Sequence, residues 1–273
     1  MSDPTEPEPL SGRFAYPRTA EVVYGPGSLR QLGEVAERIG AGRVFAIASA
    51  TLVREGLEDA LRATLGDRLV GVFSGVRQHV PRESVIEAAS AAREAGADAL
   101  LSVGGGTPID CAKAVDLCLA AGIEDAAQLD DYRIRFTYPD QLVAPVLPDR
   151  APPHIAVPTT LSGSEHTDLF GVTDRSRNEK DLYRGPAFAP RVVVLDAEPA
   201  LRTPPALWAA SGVRALDHAV EGTLSARHVP FMDALGAESL RILRRRLAES
   251  VDAAEPLGVD VEGLPEADAC TLV

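Results

Sequence analysis

The chain has 273 residues, 45% of them hydrophobic, and its sequence contains no apolar run near the eighteen or so residues that a bilayer-spanning helix needs. Forty acidic against 27 basic side chains leave a net charge of −13, which argues against a nucleic-acid or anionic-membrane surface, since neither offers counter-charge to an acidic protein. Three cysteines, Cys111, Cys118 and Cys270, make no disulfide framework and follow no charged-then-apolar leader, so a reducing cytoplasm is the expected location.

Residues 1–12, MSDPTEPEPLSG, are acidic and proline-rich with little to bury and are expected to be a disordered tail. EVVYG (21–25) then reads as a strand, and GSLRQLGEVAERIG (27–40) as an amphipathic helix with Leu29, Leu32, Val35 and Ile39 on one face. RVFAIAS (43–49) is a buried strand, followed by a helix over about 51–65, a strand LVGVF (69–73), a helix over 82–96 and a strand DALLSV (98–103). This alternation implies a mostly parallel, Rossmann-like α/β sheet. Cys111 and Cys118 lie seven apart in a helical pattern, roughly 10 Å along the axis, too far for a bridge, and read as core packing.

Residues 122–153 break the rhythm as a long excursion before the strands HIAVPTT (154–160) and RVVVLD (191–196) resume it. The α/β dinucleotide-binding domain is thus placed at 13–198. Beyond it the pattern is helical only: about 205–226, with Leu207, Ala210, Val213 and Ala219 periodic, and about 230–250, ending in RRR where a helix C-terminus favours cations. The final LPEADACTLV starts like another helix, so 199–273 is expected to be an all-helical C-terminal domain, incomplete here.

The strongest local signal is DALLSVGGGTPIDCAKAVDL (98–117). An apolar strand runs into Gly104, Gly105 and Gly106, and a helix opens at once, with Thr107 read as its N-cap, Pro108 at its first position and Asp110 at its third. Glycines let a backbone approach a phosphate, and the amides and dipole of a fresh helix N-terminus bind one. The stretch is neither GxGxxG nor GxxxxGK[ST]; a tight structural turn is the bland alternative.

GGGT followed by ProIleAspCysAlaLys resembles the GGGSxxDxAK element of the iron-containing alcohol dehydrogenase and dehydroquinate synthase-like superfamily, and VPTTLSGSEHT (157–167) resembles its PTTxxGSExT element. FSGVRQHVP (73–81) is similar to the family's FDGV element with Ser74 for the Asp, in the form ending HVP found in maleylacetate reductases. Residues 192–222 resemble the strand and helix that open the family's C-terminal domain, and the likeness covers nearly all of 13–250. It implies an NAD(P)-dependent oxidoreductase with the cofactor between an α/β domain and a helical one. By motif, Gly104, Gly105, Gly106 and Thr107 hold the pyrophosphate, Asp110 faces the nicotinamide side, and Thr159, Thr160 and Lys180 line the nucleotide. A cation at Lys180 balances phosphate charge, although a solvated loop lysine explains it equally. Ser49 follows RVFAIAS where an acid would select a ribose 2′-OH, so NADH and NADPH are not told apart.

Metal-dependent members of that superfamily offer an Asp and a His four apart, a spacing that stacks both on one helix face. Here SGVRALDHAVEG (211–222) keeps His218 and puts Arg214 in the place of the Asp; Asp217 points about 100° round the helix, and His228 is the only later histidine. A guanidinium repels a divalent cation, so no metal is expected. Maleylacetate reductases work without one, using NAD(P)H to reduce maleylacetate to 3-oxoadipate in the degradation of aromatic compounds. Arg214 is then expected to bind a substrate carboxylate and His218 to give the proton, with a small anionic substrate and a homodimer as the expected partners. The alternatives are an Arg214 surface cluster with Asp217 or Glu221, a metal-dependent alcohol dehydrogenase using other ligands, and a non-catalytic nucleotide-binding remnant. His79, His154 and His166 are scattered over different elements; His166, inside the PTT element, reads as a satisfied loop histidine with an approach to the cleft as the alternative, and Ser162 and Ser164 resemble a nucleophile turn only faintly.

Overall fold

The computed structural model describes residues 18–138, 141–225 and 228–254. The expected tail at 1–12, the helix start at 264–273 and Cys270 lie outside the described residues. Strand β1 (Glu21–Tyr24) leads through a 3-10 turn to α1 (Leu32–Ile39), then β2 (Val44–Ala48), α2 (Ala50–Arg54), α3 (Leu57–Leu65) and β3 (Leu69–Phe73). The single helix expected over 51–65 is broken in two at Gly56, whose φ of 93° is left-handed and free of strain only without a Cβ. Helix α4 (Arg82–Glu94), strand β4 (Ala99–Gly104) and helix α5 (Gly106–Ala121) follow.

The excursion holds a 3-10 helix over Ala126–Asp131 and a short antiparallel hairpin, β5 (Arg135–Thr137) with β6 (Gln141–Val143). After β7 (His154–Pro158) comes a second antiparallel hairpin that the sequence pattern does not mark, β8 (Leu169–Asp174) with β9 (Glu179–Arg184). Then follow β10 (Val192–Leu195), α6 (Ala197–Ala200), α7 (Pro205–Leu224) and α8 (Pro230–Ala254). Because α8 runs to Ala254, Arg244–Arg246 stand inside it and do not cap its end.

Six strands form one parallel sheet in the order β1-β10-β7-β4-β2-β3, the Rossmann-like α/β architecture, and a helical part follows it. Strand alternation sorts side chains onto its two faces. Val44, Ala46, Ala48, Leu101, Val103, Ile155 and Val157 join one core with Leu32, Val35 and Leu61 of α1 and α3. Phe45, Ile47 and Leu100 join the other, with α4, α5 and Phe170 and Tyr183 of the hairpin. Helix α5 is buried from Pro108 to Cys118 apart from Asp110, because sheet, α4 and β8 pack around it. Cys111 and Cys118 are buried free thiols there, and burial pushes both pKa values up, that of Cys118 to about 12. Helices α7 and α8 pack on one another. No described helix is long and apolar enough to cross a membrane.

Candidate active site

The C-terminal ends of β2, β4, β7 and β10 meet at one edge, the crevice where open α/β sheets hold ligands. Ser49 N donates to Val103 O at 3.0 Å and Thr159 N to Gly104 O at 2.9 Å, so three strand ends are fixed together there. Gly104 has φ 145°, and a Cβ on it would stand 2.8 Å from Pro108 Cγ. A Cβ on Gly105 would stand 3.0 Å from Thr160 Cγ2, and one on Gly106 3.2 Å from Ser162 Oγ. Gly104 is therefore required by its conformation and close approach, and a side chain at Gly105 or Gly106 would press on Thr160 or Ser162.

The helix begins two residues earlier than the sequence implied: Gly105 is the N-cap of α5 and Thr107 lies within its first turn. This corrects the assignment of Thr107 as N-cap. No side chain caps α5, so the first amides of a sixteen-residue helix are open toward the crevice, with the positive end of its dipole. A cavity of about 410 Å³ adjoins the edge, lined by Thr159, Thr160, Leu161, Glu165, Leu195 and Trp208 among others. Glu165 is 5% exposed, and its burial first of all raises its pKa. Thr203 Oγ1 donates to Thr159 O at 2.7 Å and secures this wall.

The other wall is the segment 162–171. Ser164 Oγ donates to Asp110 Oδ1, and Gly171 N donates to Asp110 Oδ2 at 3.2 Å, so Asp110 is engaged by protein on both oxygens. Lys113, fully buried, donates to Ser164 O at 2.6 Å, Ser164 Oγ at 3.2 Å and Leu169 O at 3.0 Å. Sequence inspection missed Lys113; its signal was a lysine three residues after Asp110 in an otherwise apolar run. Lys180 is exposed on β9 with its aliphatic chain across Gly171, close enough that a Cβ there would meet its Cε at 2.1 Å.

On α7, His218 lines a second cavity of about 500 Å³, together with Leu161, Gly163 and His166 from the opposite loop and Met232 and Ile242 from α8. His166, half exposed and 3.8 Å from Glu165 Oε1, thus borders the cleft from its loop. Burial, then the neighbouring Arg214, lowers the pKa of His218, while Asp217 and Glu221 act the other way. Arg214 does not line this cavity. Its guanidinium pairs with Asp217 and lies 3.9 Å from Glu221 on its own helix, 46% exposed. The structure brings His218 and His166 together and leaves Arg214 in the surface cluster named above as its alternative.

The sequence profile of the iron-containing alcohol dehydrogenases matches residues 19–197, more than half of the chain. The chain belongs to that family. A maleylacetate reductase of Sphingobium indicum is 32% identical over 236 residues, 86% of this chain and 57% of that protein. An NAD-dependent methanol dehydrogenase of Bacillus methanolicus is 27% identical over 238 residues, 86% of this chain and 59% of that protein. Among solved structures, maleylacetate reductase from Agrobacterium tumefaciens superimposes with a TM-score of 0.70 at 29% identity, covering 91% of this chain and 61% of that one. The chain spans about three fifths of the length of the relatives it matches.

The family's name implies iron, which needs several neutral or anionic donors converging on one point. On α7 a cation, Arg214, stands one turn before His218 and holds Asp217, and His228 is taken by Asp233 at 2.8 Å. Among the described residues, Asp130, Asp174 and Asp181 are the one group of three such ligand side chains with ligand atoms within 4.8 Å of one another. Three guanidiniums, Arg82, Arg133 and Arg177, already bind them. The described residues do not fit a metal centre.

Proposed function

We propose that this chain binds NAD(P)H at the glycine turn and serves a metal-independent reductase, working as a homodimer. Its substrate class is the unsaturated oxo-dicarboxylate, maleylacetate first, reduced to 3-oxoadipate in aromatic-compound degradation. One observation carries this above the others: Gly104–Gly106 lie at the shared edge of parallel strands and open an uncapped helix beside the Thr159–Thr160 cavity. That is a cradle for a pyrophosphate. The names of the relatives, maleylacetate reductase and an NAD-dependent dehydrogenase, support the cofactor and the substrate class.

When bound, the nicotinamide cofactor supplies hydride. The amides of Gly105, Gly106 and Thr107 hold its phosphates, Gly104 lets the backbone come close, and Thr159 and Thr160 line the nucleotide. Asp110 shapes the nicotinamide side through Ser164 and Gly171, and Lys180 adds a cation over Gly171. His218, facing the second cavity, gives a proton to the substrate carbon that becomes basic as hydride arrives. Arg214 exchanges Asp217 for a substrate carboxylate, to which a guanidinium binds in a bidentate manner.

Titration of NADH and NADPH fluorescence tests the cofactor. Gly105→Val puts a side chain onto Thr160 and should weaken binding by about tenfold or more, roughly 1.4 kcal/mol. Absence of binding by the unsubstituted chain overturns the proposal. Oxidation of NADH with maleylacetate tests the reaction, and Arg214→Ala should raise KM for the dicarboxylate more than it changes kcat. Loss of activity with a chelator favours the metal-dependent dehydrogenase instead. Tight NADH binding without turnover leaves a nucleotide-binding part only. Because the pKa of His218 is lowered, turnover should fall as pH rises through a value below 6.5.

A further inference from the structure

We propose that Lys113 is a positioning residue that clamps the segment 163–171 to helix α5 and so fixes the wall shared by the glycine turn and the His218 cavity. A fully buried lysine is rarely retained without a specific use, since an apolar residue of similar volume removes the desolvation penalty of the charge. Here all three of its acceptors belong to one segment: Ser164 O at 2.6 Å, Ser164 Oγ at 3.2 Å and Leu169 O at 3.0 Å. Two are backbone carbonyls, so the ammonium fixes the course of the main chain whatever side chains it carries.

One turn earlier Asp110 complements it, taking Ser164 Oγ and the Gly171 amide at 3.2 Å. Two residues of α5 thus hold both the beginning and the end of the same eight-residue stretch. Between the fastened ends lies the 3-10 turn Ser164–His166. Its residues face both cavities: Glu165 lines the one beside Thr159, and His166, with Gly163, lines the one that contains His218. Ser162 and Ser164 stand 3.2–4.0 Å from where a Cβ on Gly106 would be, which ties the clamp to the phosphate turn itself. The carboxylates facing Lys113 are Asp110 on its own helix, Glu165 on the turn and Asp168 before β8. Burial lowers the amine only to about 8, so it is an ammonium at neutral pH.

The test is hydrogen exchange of the full chain at pH 7, followed by NADH titration; only the second arm rests on the nucleotide function proposed above. Lys113→Met fills the space but donates nothing, so amides of 164–171 should lose protection while those of β2 and β4 keep it. If the competent form of the wall then falls to about a tenth of the population, NADH binds about tenfold more weakly. Lys113→Ala with added propylammonium should recover both, which filling of space alone would not achieve. Unchanged protection of 164–171 in Lys113→Met overturns the clamp whatever NADH does. Loosening of that segment in a chain whose parent never binds NADH keeps the clamp and removes the nucleotide function. Should Lys113→Met not fold, Ser164→Ala removes the hydroxyl shared by Lys113 and Asp110, and undisturbed protection around it is equally fatal.

Discussion

Asp116 lies in the middle of α5 with neither carboxylate oxygen meeting a hydrogen-bond donor, 4.0 Å from His154 Nδ1, and burial raises its pKa well above the ordinary value of 3.8. His154 Nε2 in turn shares a 2.8 Å hydrogen bond with Ser102 Oγ, and burial lowers the imidazole to about 3. Burial thus disfavours the charged form of both groups. Below 3.8 the folded and unfolded chains both carry the Asp116 proton, and its burial costs nothing extra in protonation. As pH rises beyond 3.8 the unfolded chain ionises and the folded one does not, so this residue opposes folding increasingly up to its raised folded pKa. Asp116→Asn keeps the shape without the titration and should raise Tm at pH 7, by roughly 2–4 °C for each kcal/mol gained. The gain should vanish when the melts are repeated below pH 3.8; a difference that does not depend on pH would mean that packing, not protonation, sets it. Nothing in CAKAVDLC announced this. Lys113 and Asp116, three apart on α5, are both buried, because α4, β4, β7 and β8 all pack on that helix.

At the scale of elements, the parts legible in the sequence were those whose apolar period was long enough to stand alone. The six parallel strands were readable as runs of Val, Ile and Ala, α1, α4, α7 and α8 by their 3.6-residue stripe, and α5 by the glycine turn that opens it. The β8–β9 hairpin was hidden, since its strands carry Asp174, Glu179, Asp181 and Arg184, whose charges are paired only once the fold exists. Likewise the glycine turn was found, but the helix start was displaced by two residues, because Thr107 is a better cap by composition than Gly105. Helix-to-helix packing supplies a test at this scale. Gly33 in α1 sits where a Cβ would be 2.6 Å from the Thr64 carbonyl oxygen in α3. Alanine is favoured over glycine inside a helix by about 1 kcal/mol, yet here the methyl meets backbone, and overpacking costs about 1–3 kcal/mol. Gly33→Ala should therefore lower Tm or leave it level; a clear rise would show that α1 and α3 are free to separate.

The whole molecule carries 40 acidic against 27 basic residues, and some of its arginines are spent indoors. Arg82 at the start of α4 is 5% exposed and reaches Asp130 of the excursion at 2.7 Å, and Asp181 and Asp174 of the β8–β9 hairpin at 2.7 and 3.3 Å. Arg177 repeats the set, binding Asp181 at 2.6 Å, Asp174 at 2.9 Å and Asp130 at 3.1 Å, and Arg133 adds Asp130 at 3.1 Å. The network joins the excursion and the hairpin to α4, and β8 of the same hairpin packs on α5, where Leu169 O accepts from Lys113. Removing one partner of a buried pair strands the other, so Arg82→Met should cost about 3 kcal/mol even though Arg177 remains for Asp181. Acid is the second probe. The Arg82 hydrogen bond, the largest cause, holds Asp130 down to about 2, so this carboxylate contributes stability that is complete above its unfolded value of 3.8 and lost as pH falls from there toward 2. Asp116 works in the opposite sense, since acid removes its penalty, and the two residues can be separated by substitution. Urea unfolding of Arg82→Met between pH 2 and pH 7 should show a lower midpoint throughout and an acid limb displaced to higher pH, because Asp130 then protonates sooner. An acid limb superimposable on that of the parent chain would mean that Arg177 and Arg133 alone hold Asp130, and that α4 is not the anchor of the network.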